Sequence, residues 1–382
     1  MAKEKQLSDR VNQIRPSGIR KIFDAACANP DGIDLSIGDP DYDIPEPIKA
    51  EGIKWISQGF NRYVSTRGIP ELRDKLALHL EGKGIIFDDL LITAGATGGY
   101  ILAMLAVVSP GDEVLIPDPY FVSYANVVIM CGGIPRVFST YADFSLRAEE
   151  IEPLINERTK AIVVNHPNNP TGIVYSQAEL RMVAEIAEKF GLYIISDEIY
   201  DEFVYTSDPF VSMGNVARDA IVISGFSKRS GMTGWRLGYV SGPRNLIDAM
   251  ATFQQYSYVC ANSIAQKAAI KALDFDIQAY VDTYLRRRDL VYQGLKERFE
   301  IVRPGGAFYV FPKAPGSDAT EFVNQAIRRN VFIIPGNAFS ERNSHFRISF
   351  AASEDKILQA LDILNEIAEE FGSMDCQGSK LV

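Results

Sequence analysis

The sequence predicts an α/β protein with a large domain, built on a mostly parallel, doubly wound sheet, and a smaller α+β domain. Between residues 85 and 245, short apolar runs without polar alternation are separated by helix-like segments. Strands of this kind are covered by helices on both faces, as in parallel sheets. A chain of 382 residues also exceeds what one hydrophobic core usually supports. We therefore expect two domains.

The large domain is predicted from five apolar runs that read as strands. They are EVLIP (113–117), AIVVN (161–165), YIISD (193–197), AIVIS (220–224) and LGYVSG (237–242). The segment SQAELRMVAEIAEKFG (176–191) carries an apolar stripe and ends at a glycine, which is typical of an amphipathic helix. This alternation predicts a large domain of residues 46–275.

The smaller domain is predicted from both ends of the chain. Strand-like segments at 301–313, 330–336 and 345–351 stand beside helix-like segments at 319–329 and 354–371. This α+β pattern predicts a domain of residues 276–372. Residues 1–45, which hold a helix and then DLSIGDPDYDIP, are expected to cross to the same domain. Residues 373–382 are expected to form a disordered tail.

Composition excludes several classes of function. A net charge of −10 argues against a nucleic-acid surface, because phosphate binding needs an excess of clustered Lys and Arg. We expect the dense basic run Arg286–Arg288 to be a solvated helix face, with a role in a subunit interface as the alternative. The longest apolar run, Ile101–Val108, is too short to span a membrane, and the N-terminus lacks the apolar core of a signal peptide. We therefore expect a cytoplasmic protein; its four scattered cysteines and three histidines predict neither disulfides nor a metal site.

Polar side chains follow three successive predicted strands. Asn169 comes after AIVVN. Asp197 is the last residue of YIISD, and Tyr200 lies three residues after it. Lys228 and Arg236 follow AIVIS. Each has an ordinary explanation: NNPTG is a turn sequence, Asp197 can cap a helix, and the two cations can be solvated in a loop. Ligands bind at the carboxyl ends of strands in open α/β sheets, so five such groups together favour a site.

The motif GFSKRSGMTGWRLG (225–238) resembles the lysine signature of the class I and II aminotransferases, which are pyridoxal-phosphate enzymes of fold type I. NNPTG (168–172) and SDEIY (196–200) precede it in the order and spacing of that family. The resemblance extends from LSIGDPDYDIP (35–45) to FRISFA (346–351). It implies a ping-pong enzyme that moves the amino group of an L-amino acid to a 2-oxo acid, most often 2-oxoglutarate.

The resemblance implies a role for each of these polar groups. Lys228 binds pyridoxal 5′-phosphate covalently and moves a proton at the substrate Cα. Arg236 binds the phosphate through its planar guanidinium. Asp197 pairs with the pyridine nitrogen. Asn169 and Tyr200 hydrogen-bond the 3′ oxygen of the ring.

Further cofactor contacts are implied upstream of the lysine motif. The stretch ITAGATGG (92–99) precedes an apolar helix, whose N-terminal amides suit a phosphate. In the family, the backbone of Gly95 and Ala96 and the hydroxyl of Thr97 provide this contact. Phe121, in PDPYFVSY (117–124), matches the aromatic residue that stacks on the pyridine ring.

The chain departs from the family pattern close to the lysine. Many relatives have a serine three residues before the lysine, and its hydroxyl touches the phosphate. This chain has Gly225 at that position, which leaves the contact in question. We place Ser227, next to the lysine, among the cofactor-binding residues.

Three more residues are assigned to the substrate and to a partner subunit. Arg347 lies inside the apolar run FRISFA, where an arginine is costly unless it is paired, and a substrate α-carboxylate would pair with it. Gly38 resembles the family segment that lies over the substrate, which Asn169 also contacts. Tyr63, in RYVSTRGIPELR (62–73), matches the tyrosine that reaches the phosphate of the neighbouring subunit. This match implies a homodimer.

The choice of amino donor depends on two positions. In an aspartate-using branch of the family a lysine stands at the position of Thr97 and a threonine near that of Ile19, and this chain has neither. We therefore favour an aromatic or other hydrophobic donor, with aspartate second, because Arg20 or another residue can bind a distal carboxylate. The specificity of such pockets depends on a few contacts.

Two alternative functions stay open. The same fold and lysine serve lyases that cleave C–S bonds at Cβ. A non-enzymatic regulator with an aminotransferase-like body is the more remote alternative. Such regulators usually carry an added basic DNA-binding domain, for which the N-terminal segment has no room.

Overall fold

The computed structural model describes residues 5–14 and 18–378. Their helices are α1 (Asp9–Gln13), α2 (Gly18–Cys27), α3 (Glu46–Ser57), α4 (Pro70–Gly82), α5 (Gly95–Val107), α6 (Ser123–Met130), α7 (Ala148–Ile151), α8 (Gln177–Phe190), α9 (Met213–Val216), α10 (Arg244–Ser257), α11 (Ser263–Ala272), α12 (Gln278–Leu295), α13 (Ala319–Arg328) and α14 (Glu354–Gly378). The strands are β1 (Ile33–Asp34), β2 (Asp89–Thr93), β3 (Glu113–Asp118), β4 (Ile134–Ser139), β5 (Thr159–Asn165), β6 (Tyr193–Asp197), β7 (Ile221–Gly225), β8 (Gly238–Gly242), β9 (Tyr309–Val310), β10 (Val331–Phe332), β11 (Ile334–Pro335) and β12 (Phe346–Ser349). No helix within these residues is long and apolar enough to cross a membrane.

A seven-stranded sheet in the order β2-β8-β7-β6-β5-β3-β4 forms the centre of the molecule. The pairs from β7 through to β4 are parallel, and β8 runs antiparallel to both of its neighbours. The predicted α/β class and its mostly parallel sheet are therefore confirmed. The five predicted strands correspond to β3 and β5 to β8, while β2 and β4 were not predicted.

Helices cover both faces of this sheet, because successive side chains along a strand point to opposite faces and both sets are apolar. Val114 and Ile116 of β3 pack with α5 and α10, whereas Leu115 packs with α8 on the opposite face. Helix α8 has the predicted ends: Ser176 forms a capping box, and Gly191 closes the helix in a left-handed conformation with φ of 68°. The carboxyl edge of the sheet is thus held between two packed helical layers.

Three strands of the C-terminal third form a separate antiparallel sheet in the order β11-β12-β9. The N-terminal segment also reaches this region, because β1 pairs with β10 through Ile33 with Val331 and Asp34 with Phe332. Of the strand expected at 301–313, only β9 forms. The domain boundaries at 45/46 and 275/276 stay predictions.

The expected disordered tail is corrected in part. Helix α14 continues to Gly378, so residues 373–378 extend a helix, and residues 379–382 lie outside the described part of the chain. Consecutive backbone hydrogen bonds let a helix continue beyond the apolar periodicity from which its end was predicted.

The basic run in α12 is a solvated face only at Arg286, which is exposed. Arg287 and Arg288 are buried. Arg287 donates two hydrogen bonds of 2.8 Å to the carboxylate of Asp41, and Arg288 donates to the carbonyl of Pro304 at 2.7 Å. The paired, bidentate contact to Asp41 offsets the cost of burial. It fixes the segment that carries Gly38 against α12.

Candidate active site

A cavity of about 270 Å³ opens at the carboxyl ends of the central strands. Every predicted site residue except Gly95 and Tyr63 lines it. The lining residues are Ile19, Ile37, Gly38, Ala96, Thr97, Phe121, Tyr124, Asn165, Asn169, Asp197, Ile199, Tyr200, Ser227, Lys228, Thr233, Arg236, Tyr309 and Arg347. The structure therefore brings the predicted residues together, and their individual roles stay predictions.

Lys228 stands in the loop after β7 and points into the cavity. Its Nζ donates a hydrogen bond of 2.6 Å to the carbonyl oxygen of Gly38. This acceptor is neutral, so no carboxylate pairs with the amine at this contact. Burial lowers the pKa of the Lys228 amine to about 8; the charge of Asp39 opposes this shift, and the charges of Arg236 and Arg347 act in the same direction as burial. Part of this amine is therefore neutral near pH 8, as a nucleophile or a general base requires.

The start of α5 lies against the guanidinium of Arg236. A Cβ added to Gly95 would lie 2.5 Å from Nη2 of Arg236, so the guanidinium is packed against the first residue of the helix. Ala94, which precedes the helix, provides no side-chain hydrogen bond to its N-terminal amides. Free amides, the positive end of the helix dipole and a guanidinium together suit a phosphate group. Gly95 lies at this corner beside Arg236 without lining the cavity, and its backbone contact to a phosphate stays a prediction.

Gly225 allows β7 and β8 to approach each other closely. A Cβ at this position would lie 2.8 Å from the Cα of Gly238 and 2.9 Å from the carbonyl oxygen of Leu237. Any side chain here would force the two strands apart. The serine that many relatives have at this position therefore has no room in this chain, and Ser227 is the serine that lines the cavity.

Asp197 is a buried carboxylate at the end of β6. One oxygen accepts a hydrogen bond from the hydroxyl of Tyr124 at 2.7 Å, and the other accepts from the backbone of Ile199 at 3.2 Å. Both donors are neutral, and burial raises the pKa of Asp197. A buried carboxylate whose hydrogen-bond donors are both neutral favours a protonated ring nitrogen as its partner. Tyr124 was not predicted, although it lies in the same stretch as Phe121.

Arg347 is buried in β12 with only 2% of its surface exposed. Its Nη1 donates to Oδ1 of Asn169 at 2.9 Å, and its Nη2 donates to the carbonyl of Ser36. Its Nε has no hydrogen-bond partner in the described part of the chain. Burial lowers the pKa of Arg347. Because its partners are neutral, an anionic ligand in the cavity would complete its environment.

Two phenols of the cavity meet beside Arg347. The hydroxyl oxygens of Tyr200 and Tyr309 are joined by a hydrogen bond of 2.7 Å, and both side chains are buried. Sequence reasoning found Tyr200 but missed Tyr309. A tyrosine in the strand-like run AFYVF gives no signal that separates a site residue from a core residue, since its ring suits both.

Two residues considered for the site lie outside the cavity. Tyr63 is 83% exposed and lies in a surface groove with Asn262, which agrees with a contact to another subunit rather than to this cavity. Arg20 forms an ion pair of 3.0 Å with Asp24 one turn along α2, and the neighbouring Ile19 is the residue of this helix that lines the cavity.

Comparison with known proteins agrees with this geometry. The family model described as aminotransferase class I and II matches residues 30–364. The aspartate aminotransferase of Pyrococcus abyssi is 37% identical over 95% of this chain and 98% of that protein, and aromatic-amino-acid aminotransferase 2 of Thermococcus litoralis is 36% identical with the same coverage of each. The crystal structure of the aspartate aminotransferase of Thermotoga maritima is similar with a TM-score of 0.90 and 35% identity, covering 95% of this chain and all of that one. The chain therefore belongs to the class I and II aminotransferases, which transfer nitrogenous groups.

Proposed function

We propose that this aminotransferase uses pyridoxal 5′-phosphate to move the amino group of an aromatic or other hydrophobic L-amino acid to 2-oxoglutarate. The observation that carries this proposal is the position of Lys228. An amine with a pKa near 8 shares one cavity with Arg347, whose hydrogen-bond partners are neutral, and with the desolvated carboxylate of Asp197. Perturbed groups that converge in one cavity are typical of a catalytic site.

The cavity residues fit the cofactor at each of its polar groups. When bound, pyridoxal phosphate takes the amino group from one substrate and gives it to the next. The start of α5 and Arg236 would hold the phosphate, Asp197 the ring nitrogen, and Asn169 and Tyr200 the 3′ oxygen. The remaining assigned contacts are the stacking of Phe121 and the hydroxyls of Thr97 and Ser227.

Lys228 and Arg347 would act directly on the substrate. Arg347 binds the α-carboxylate that amino acids and 2-oxo acids share, and thereby holds the Cα in a fixed position. The neutral amine of Lys228 would take the proton from this Cα and deliver it to C4′ of the cofactor, and in the second half of the reaction it would move a proton from C4′ to the Cα of the new amino acid. The segment around Gly38 lies over the amine, which its carbonyl contacts at 2.6 Å, and helps to exclude water.

The rate at which the cofactor-free protein captures pyridoxal phosphate should rise with pH, with a midpoint near 8 rather than near the ordinary lysine value of 10.5. Only the neutral amine attacks the aldehyde, and burial favours that form. Stopped-flow absorbance across the neutral and alkaline range measures this rate. Removal of a positive charge in Arg347→Met should move the midpoint to higher pH, and a midpoint close to 10.5 in the unchanged protein would contradict the assignment.

The walls of the cavity support a hydrophobic donor. The cations that line it are Lys228, Arg236 and Arg347, and each already has a role in the proposal. Ile19 and Ile37 line the part next to the substrate segment. Aspartate is the second candidate, because relatives 37% and 38% identical to this chain are named aspartate aminotransferases.

Introducing a lysine at the mouth of the cavity should change the preferred donor. We expect Thr97→Lys to raise the ratio of kcat/KM for aspartate to that for phenylalanine by about 10-fold or more, because a cation pairs with the distal carboxylate. Thr97→Met, which has similar length and no charge, is the matched control. Steady-state kinetics with both donors measure the ratio, and an equal change in the two variants would refute the electrostatic explanation.

Product analysis separates transamination from the lyase alternative. With 2-oxoglutarate as acceptor, transamination forms glutamate and one oxo acid for each amino acid consumed. A C–S lyase releases pyruvate and ammonia from a sulfur-containing amino acid without any acceptor. Formation of pyruvate and ammonia as the faster reaction would move the proposal to the lyases.

The protein should be a homodimer, with a sedimentation mass twice that of the 42.4 kDa chain. The supporting observation is a groove lined by Ile53, Ile56 and Ile264, which shares Asn262 with the groove around Tyr63. Apolar side chains exposed in this way are typical of subunit interfaces. Sedimentation velocity at micromolar concentration tests the mass.

The cytoplasmic location expected from the sequence stays a prediction.

A charge placed in the groove should weaken the dimer. We expect Ile53→Asp to sediment largely as the single chain, because the charge would be buried without a partner. Leu358→Asp on the exposed side of α14 is the matched control and should leave the mass unchanged. A single chain before any substitution would overturn the proposed assembly.

A further inference from the structure

Tyr309 contacts two other residues of the cavity, Tyr200 and Arg347. Its hydroxyl is 2.7 Å from that of Tyr200, and its ring lies 4.6 Å from the guanidinium carbon of Arg347. Only 1% of its surface is exposed. We propose that Tyr309 is a positioning residue for transamination: its hydroxyl directs the proton of Tyr200 into the cavity, and its ring holds Arg347 ready for the substrate carboxylate. The inference rests on the proposed function.

The direction of the proton follows from counting donors. Each phenol has one proton, and burial raises the pKa of Tyr200 and Tyr309, so both are protonated at neutral pH. If Tyr200 donates to the 3′ oxygen of the cofactor, the hydrogen bond between the phenols must be donated by Tyr309. A hydroxyl that accepts one hydrogen bond also donates a stronger one. Tyr309 would therefore both orient and strengthen the contact made by Tyr200.

The position of this hydroxyl also accounts for Gly38. A Cβ at residue 38 would lie 1.7 Å from the hydroxyl oxygen of Tyr309 and 2.7 Å from its Cζ. Any larger residue would displace the phenol or the segment. The carbonyl of Gly38 accepts the hydrogen bond from Lys228, so the same segment touches the catalytic amine on one side and Tyr309 on the other.

The ring acts on Arg347 without using the hydrogen-bonding edge of its guanidinium. Strands β9 and β12 are paired with Tyr309 opposite Ser349, and Arg347 lies two residues from Ser349 on the same face of β12. Phe339 is a second ring, 4.7 Å from the guanidinium carbon. Cation–π contacts of this kind fix the plane of the guanidinium while its N–H groups stay available for a ligand.

The first test is a pH titration of the visible band of the holoenzyme, with Tyr309→Phe compared to Tyr200→Phe. A hydrogen bond to the 3′ oxygen stabilises its negative charge and weakens its hold on the proton at the Lys228 nitrogen. We expect the apparent pKa of the band to rise by about 1 in Tyr200→Phe and by about 0.3 to 0.5 in Tyr309→Phe. The double variant should match Tyr200→Phe alone, because Tyr309 acts through Tyr200.

The second test separates the hydroxyl from the ring. We expect Tyr309→Phe to keep KM for the amino donor within about twofold, because the ring remains beside Arg347. Tyr309→Leu removes the ring as well and should raise KM by about 5-fold relative to Tyr309→Phe. Thermal unfolding of each cofactor-free variant checks that the fold is retained. Gly38→Ala gives an independent route to the same band shift, because its methyl group displaces the hydroxyl.

The outcomes distinguish this inference from the proposed function. A band that shifts in Tyr200→Phe but in neither Tyr309→Phe nor Gly38→Ala would overturn the role of Tyr309 alone. Additive shifts in the double variant would also overturn it, since the two phenols would then act independently. The absence of a shift in Tyr200→Phe would remove the proposed role of Tyr200 together with this inference. A protein that forms no visible band at all would overturn the proposed function itself.

Discussion

Lys228→Ala is expected to lower the rate of transamination by at least about ten-thousand-fold, because it removes both the covalent attachment of the cofactor and the base at the substrate Cα. The methyl group that remains cannot accept a proton. Among the described residues that line the cavity, the other cations are the guanidiniums of Arg236 and Arg347, so none of them supplies a second amine. Single-turnover absorbance measurements with saturating cofactor measure this loss separately from weak cofactor binding.

A matched control for this variant is Lys189→Ala on α8. Lys189 is exposed and pairs with Glu152 on the protein surface, so its removal should leave the rate unchanged. Thermal unfolding should show similar stability for both variants. Full turnover by Lys228→Ala would show that the catalytic assignment is wrong.

Arg347→Ala is expected to lower kcat/KM by about 100-fold, mainly through a higher KM, because a charged bidentate contact to the substrate carboxylate is lost. The effect should be similar for the amino acid and for the 2-oxo acid, since both carry the same α-carboxylate. Steady-state kinetics with each substrate varied in turn measure the two values.

Arg328→Ala is the control for this charge. Arg328 is exposed at the end of α13 and pairs with Glu321, so its loss removes a positive charge without touching the cavity. An unchanged KM for both substrates in Arg347→Ala would refute the carboxylate role. A change for only one of them would show that Arg347 binds a group the two substrates do not share.

The buried strands and the carboxyl edge of the sheet could be predicted from the sequence because both depend on local patterns. Unbroken apolar runs identify β5, β6 and β7, and polar residues directly after them identify the site. Strand β4 has no such run: it contains Pro135 and Arg136 and lies at an exposed edge, where polar residues are tolerated. In β4 the pattern is missing because several of its side chains face solvent, whereas β2 at the other edge is mostly buried and its apolar run was not predicted.

Other features depend on contacts between distant segments, which no local pattern contains. Arg287 reads as a surface cation, yet Asp41, 246 residues away, makes its burial possible. Tyr309 joins the site through Tyr200, which follows β6, and Tyr124 on α6 joins it through Asp197. The sequence contexts of both tyrosines resemble ordinary core positions. The family resemblance, now confirmed by the match over residues 30–364, supplied the roles that spacing alone could not.

The most direct test of the proposed function is the absorbance spectrum of the purified protein with pyridoxal phosphate, followed by addition of single amino acids without any oxo acid. The proposal predicts a visible band from the cofactor bound to Lys228, which disappears as the amino group moves to the cofactor, fastest with aromatic or other hydrophobic donors. A protein that forms no such band after reconstitution would contradict the central claim, and fastest conversion by aspartate would replace the proposed donor with the second candidate.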